Sequence, residues 1–245
     1  MSGTDDQGIC LSIVSHGQGR LIRPLLGDLL ALRKRLTEVI VTLNIPEDEA
    51  FLAEFQDPLP LRVLRNPAPK GFGANHNSAF AVSTAPFFVV VNPDIRLHDL
   101  VLDALLTAAA EPDTGVAAPL VHASDGQLQD SARRFPTVAR LIRRKLGGTR
   151  SPDYRVGQVP MAVDWVAGMF MVFRREVYAS LGGFDDRYFM YFEDVDLCQR
   201  LHRADLRVML VPQARVIHDA QRASRRQLKH FVWHLSSACR YLLTA

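Results

Sequence analysis

The sequence predicts an α/β fold, a mainly parallel, Rossmann-like sheet flanked by helices, on three observations. Short β-rich runs alternate with helical patterns through the first half of the chain. The segments that follow the strands are polar or rich in Gly and Pro. With 245 residues, 48% of them hydrophobic, the chain can bury one sizeable core, which fits a single domain better than two.

In chain order the patterns predict strand 9–14, helix 21–36, strand 39–43, strand 61–64, helix 74–82 and strand 87–91. In a parallel sheet, ligands bind beyond the carboxyl ends of the strands. Four loops therefore carry most of the interest: Ser15 to Gly17, Asn44 to Pro46, Asn66 to Gly73, and Asn92 to Asp94. The second half reads as a turn-rich segment 124–158, a long strand 163–173, and a helix 175–181 closed by Gly182 and Gly183. A loop 184–193, a helix 194–204, strands 207–211 and 214–217, and a terminal helix 224–243 follow. The pattern divides a single domain into a regular half, 9–123, and a less regular half, 124–245.

Composition narrows the function. The longest apolar runs, 85–92 and 165–173, fall short of the ~20 residues of a membrane span. Residues 1–8 are polar and carry Asp5 and Asp6, unlike a secretory signal, so the expected location is the cytoplasm. Cys10, Cys198 and Cys239 form no C-x-x-C pair and read as buried thiols rather than a disulfide or zinc framework. The net charge of +3 is small, and the Arg-rich segments lack an aromatic stacking motif, so no nucleic-acid partner is expected.

Four constellations carry chemistry. Strand 87–91 runs into Asn92, Pro93 and Asp94, which sets a carboxylate at a strand end. Asp94 there either caps the next turn or holds a divalent magnesium or manganese ion, whose remaining ligands come from phosphates and water. Tyr188 to Phe192 lead into Glu193, Asp194 and Asp196 at a helix start, where an aromatic wall and neighbouring carboxylates raise one another's pKa, as a general base requires. His218 ends a β run, either as a second metal ligand or as a structural imidazole. Lys70 to Asn77 form a glycine turn opening a helix, with amides placed to approach a phosphate or ribose. His76 stands where a dinucleotide fingerprint would need glycine, which argues against a nicotinamide dehydrogenase.

Taken together these residues resemble the inverting family 2 glycosyltransferases of the GT-A fold, particularly the bacterial rhamnosyltransferase-like branch that builds cell-surface polysaccharides. The resemblance runs through Ser15 and His16, Asn44, Asn66 to Asn77, the Asn92-Pro93-Asp94 form of the DXD motif, Gly168-Met169-Phe170, Gly182 to Asp185, and Glu193 to Asp196. It implies a nucleotide-sugar donor held by Ser15, His16, Asn44, Asn66, Gly71, Asn75, Asn92 and Asp94. It also implies a metal on Asp94 and His218, and Asp194 as the base beside Glu193. Arg133, Arg134 and Trp165 fall on the acceptor or diphosphate side, where arginine forks can clamp phosphate oxygens.

The chain departs from the family at Leu43, where many members carry an aspartate toward the nucleotide base. That departure keeps open a non-catalytic, nucleotide-sugar-binding subunit as the alternative. The acceptor is expected to be a saccharide, lipid-linked in this branch. The terminal helix repeats Leu228, Phe231, Val232, Leu235, Cys239 and Leu242 at helical spacing. This apolar face is expected on the core, with Arg225, Arg226, Lys229, His230 and Arg240 turned toward an anionic membrane.

Overall fold

The computed structural model describes residues 8–97, 101–140, 152–219 and 228–244. Its first four strands are β1 (Ile9–Ser15), β2 (Leu36–Leu43), β3 (Leu61–Arg65) and β4 (Phe87–Val91). They pair in parallel in the order β3-β2-β1-β4. Helix α1 (Gly19–Leu29) joins β1 to β2, and α2 (Phe72–Val82) joins β3 to β4. The strand FFVVV of β4 is buried throughout, as a strand covered on both faces must be. Alternate residues of β1 serve opposite faces: Ile9, Leu11 and Ile13 pack with α1, and Cys10 packs in the cluster on the other side.

The sheet does not stop at the end of the regular half. Short β5 (Ile95–Arg96), α3 (Val101–Ala110) and β6 (Thr114–His122) follow β4. Further on, the small strands β7 (Ala132–Arg133) and β9 (Trp165–Val166) form a separate antiparallel ribbon, and β8 (Met161–Val163) pairs with β11 (Arg207–His218). Strand β10 (Phe170–Arg174) inserts between β4 and β6, antiparallel to both. The full order is β3-β2-β1-β4-β10-β6-β11-β5, with β8 beside β11. Helices α4 (Arg175–Ser180), α5 (Glu193–Arg203) and α6 (Leu228–Thr244) complete the described elements.

Several expectations need correction. The helix expected over 21–36 ends at Leu29, and a 3-10 turn, Leu30–Arg35, delivers the chain directly into β2. The long strand expected over 163–173 is three strands, because β8, β9 and β10 pair with β11, β7 and β4 respectively. The two strands expected over 207–217 are one, with a bulge opposite Pro119 and Leu120. Helix α6 is turned over. Phe231, Val232, Leu235, Cys239 and Leu242 are exposed, while Ser237, Ala238 and Tyr241 are buried. The side chains of Leu228 and Lys229, together with Arg225 and Arg226, lie outside the described residues.

Candidate active site

After β4 the chain turns through Asn92, Pro93 and Asp94, closed by the Ile95 N–H donating to the Asn92 carbonyl at 3.3 Å. Strand β5 then pairs with the end of β11, His218 opposite Ile95, which brings the imidazole to the turn. His218 Nε2 lies 3.2 Å from Asp94 Oδ2, and the Asp219 N–H donates to the Asp94 carbonyl at 3.1 Å. Gln129 sets the tautomer. Its side-chain N–H donates to the His218 carbonyl at 3.0 Å, so its Oε1, 2.9 Å from His218 Nδ1, must accept. Nδ1 therefore carries a proton, and without a second one the Nε2 lone pair faces a carboxylate oxygen. Two acceptors so placed need a cation between them, a proton or a metal ion. Asp94 Oδ1 is buried without a protein partner. The donor set, one carboxylate and one imidazole oriented from behind by Gln129, fits a divalent ion. Among the described residues no cluster of three or more His, Cys, Asp and Glu could hold one, so phosphate and water would have to complete the shell.

The second acid centre opens α5. Tyr191 and Phe192 both take left-handed backbone, φ 70° and 68°, an uncommon conformation for aromatic residues that aims the helix start inward. Glu193 is 6% exposed, with Oε2 lacking a partner. Burial, aided by the charge of Asp194, pushes its carboxyl up to about 8. Burial also raises Asp194, but two backbone donors oppose it: Gly168 N–H to Oδ2 at 3.0 Å and Val195 N–H to Oδ1 at 2.9 Å. The charge of Arg133 lowers it further. Burial thus raises both carboxyls, and the two backbone donors and Arg133 favour negative charge on Asp194.

Gly168 and Met169 tie the two centres together. The Gly168 N–H holds the Asp194 carboxylate, and the next carbonyl, Met169 O, accepts the Asn92 N–H at 2.9 Å. A Cβ on Gly168 would lie 3.2 Å from the Phe72 ring, so this link runs in tight packing.

The nucleotide-side residues are gathered too, but chiefly to bind one another. Asn44 Oδ1 accepts from Asn66 Nδ2 at 2.8 Å and Lys70 N–H at 2.8 Å, and its Nδ2 reaches the Lys70 carbonyl at 3.0 Å and His16 Nδ1 at 3.2 Å. Asn66 also donates to Asn75 Oδ1 at 2.6 Å, and Asn75 donates to the Gly71 carbonyl at 2.9 Å. Ser15 accepts the Gln18 N–H at 3.0 Å, which holds the turn before α1, while His16 is exposed. Glu47, which the sequence patterns did not single out, accepts from the Gly17 and Gly19 N–H groups and ties the loops after β1 and β2. Gly71 and Gly73 are held small by packing. A Cβ would lie 2.6 Å from Phe189 O at Gly71 and 2.4 Å from the Phe184 Cβ at Gly73, so both admit the aromatic loop. His76 is fully buried, which pushes its ring down to about 3 and keeps it neutral, with Nδ1 2.8 Å from the Ser12 hydroxyl.

Arg133 and Arg134 stand on the β7–β9 ribbon, on the side of Asp194. Arg133 lies over the Trp165 ring at 5.4 Å and pairs with Asp130 at 2.9 Å. Arg134 lies over Tyr154 at 5.5 Å. Trp165 is buried, and its Nε1 donates to the Arg134 carbonyl at 3.0 Å, so it supports the arginines rather than offering an open face. Leu43 packs in the core.

Residues 6–235 match the model of a family described as Glycosyltransferase like family 2. The chain belongs to this family. As a family 2 glycosyltransferase it is 30% identical to the N-acetylglucosaminyl-diphospho-decaprenol L-rhamnosyltransferase of Mycobacterium tuberculosis, over 94% of this chain and 82% of that protein. It is 32% identical to the rhamnosyltransferase WbbL of Escherichia coli K12, over 96% of this chain and 92% of that one. Among solved structures, GalNAc-T7 with UDP, GalNAc and Mn2+ superposes with a TM-score of 0.68 at 16% identity, over 90% of this chain and 44% of that one. The mannosyltransferase PcManGT of Pyrobaculum calidifontis with GDP-Man and Mn2+ gives 0.64 at 17%, over 95% and 64%. The fold of this glycosyltransferase is GT-A.

Proposed function

We propose that this glycosyltransferase moves rhamnose, with inversion, from a deoxythymidine-diphosphate donor to a hydroxyl of a lipid-linked saccharide in cell-surface polysaccharide synthesis. The sugar and acceptor class rest on the names of the two relatives. The mechanism rests on one observation, the Gly168–Met169 link that ties the Asp94 turn to the Asp194 carboxylate. Asp194, whose charged form is supported by the Gly168 and Val195 N–H groups, takes the proton of the acceptor hydroxyl. The acceptor oxygen bonds to the anomeric carbon from the face opposite the diphosphate, whose oxygen leaves with the bonding electrons. A single displacement of this kind inverts the centre. A divalent magnesium or manganese ion on Asp94 and His218 would neutralise the charge of that diphosphate. Arg133 and Arg134 are placed to hold phosphate oxygens of the donor or of the lipid-linked acceptor. Glu193, protonated, keeps a second negative charge away from the base.

The test is incubation of the protein and Mn2+ with dTDP-rhamnose, UDP-sugar and GDP-sugar donors and a prenyl-diphosphate saccharide. Nuclear magnetic resonance of the product reads the anomeric configuration. Transfer from dTDP-rhamnose with inversion is expected. Retention, or binding of every donor without turnover, would overturn the reading, the latter in favour of a non-catalytic subunit.

A further inference from the structure

Helix α6 has two unlike faces. One holds the loop that leads into the catalytic pair. Tyr191 Oη is 2.9 Å from His230 Nδ1, the Ser237 hydroxyl donates to the Met190 carbonyl at 2.9 Å, and Trp233 packs on Phe189 with ring centres 4.8 Å apart. The other face is apolar and turned outward: Val232 is 58% exposed, Leu235 49%, Leu242 37% and Leu243 87%, with Cys239 exposed between them. Charge bears on what covers that face. From residue 220 to the end the sequence holds Arg222, Arg225, Arg226 and Lys229 and no aspartate or glutamate, while Arg240, expected to turn outward, lies over the Tyr188 ring at 5.9 Å on the protein side. An apolar stripe on an acid-free, basic segment matches an anionic lipid surface in both terms, burial and charge. No helix of the described residues is long and apolar enough to cross a membrane, so the fitting mode is lying on the surface.

We propose that the face made by Val232, Leu235, Cys239, Leu242 and Leu243 seats in an anionic bilayer surface, with the opposite face carrying the catalytic loop. The docking stands on this face and charge alone. Its use, to hold Glu193 and Asp194 at the level of a lipid-borne acceptor, rests on the function proposed above. Binding to vesicles therefore needs no donor or acceptor, and its failure is distinct from a failure of sugar transfer.

Cys10 and Cys198 are buried and Cys239 is exposed, so a polarity-sensitive dye on Cys239 reports from the middle of the face. Vesicles of phosphatidylglycerol and phosphatidylcholine should blue-shift the dye and pellet the protein, and pure phosphatidylcholine should do neither to the same degree. The variant Leu235→Ser, Leu242→Ser, Leu243→Ser should bind anionic vesicles about tenfold or more weakly, while its Tm and nucleotide affinity stay at the wild-type values. Pelleting of the triple variant equal to wild type, with no dye shift in the labelled wild type, would assign binding to the basic residues and overturn the proposal. A blue shift that grows with protein concentration without vesicles would also overturn it, in favour of a second copy on this face.

Discussion

The asparagine cluster and the acid centres are both polar and largely enclosed, yet they are satisfied in opposite ways. Around Asn44, Asn66 and Asn75 the side-chain oxygens and amides of Asn44 and Asn75 meet protein partners, in a network that spans the loops after β2 and β3. At the acid centres Asp94 Oδ1 and Glu193 Oε2 meet none. A buried polar atom without a partner costs roughly 1–3 kcal/mol, more when charged, so a fold tolerates it where a ligand or proton relieves it. Asn44, expected to read the nucleotide, is the anchor of the loops that would surround it.

The largest effect that would test this contrast is at the base. Asp194→Asn should leave donor affinity near wild type and lower transfer by ~100-fold or more, the range for a lost general base. If Glu193→Gln is the inactive variant and Asp194→Asn remains active, the roles within the pair are reversed. Next, Asp94→Ala should abolish the Mn2+-dependent part of nucleotide binding, read by calorimetry, without lowering Tm. An unchanged affinity would remove Asp94 from the metal site. On the scaffold side the order inverts: Asn44→Ala should cost about 2–3 kcal/mol of unfolding free energy, because it strands several buried partners. Denaturant titration reads this, and a loss of donor affinity with unchanged stability would make Asn44 a ligand contact instead.

The last effect is a slope. Glu193 titrates near its usual 4.5 in the unfolded chain and at about 8 in the fold. Its raised value favours the folded state fully below pH 4.5, and that contribution falls away as pH rises toward 8. Glu193→Gln carries no such titration, so its Tm relative to wild type should rise between pH 5 and 8. A constant difference would place the proton elsewhere.

Strands β1 to β4 were legible within a few residues because continuous β-branched and aromatic runs are bounded by turn residues. Strand β6 was not. Its Gly115, Ala117, Ala118 and Pro119 carry weak strand preference, and the bulge in β11 opposite Pro119 shows that pairing there is set by tertiary context. The acids were legible as motifs, yet their coupling through Gly168 and Met169 and the orientation of His218 by Gln129 depend on residues distant in sequence. In α6 the apolar period was legible and its direction was not. Periodicity locates a stripe, whereas the rings and carbonyls of loop 188–192 decided which side met the protein.

The insertion of β10 between β4 and β6 has a consequence for synthesis. As the chain leaves a ribosome, β1 to β4 can pair among themselves, but β4 keeps one open edge until residues 170–174 emerge. That edge is five buried-type residues, FFVVV, a ready template for another nascent chain. The half that holds β1 to β4 is therefore not a module that a gene could detach. Its closing strand is encoded beyond the ribbon that carries Arg133 and Arg134, and a chain cut short before that strand would expose the stickiest edge in the molecule.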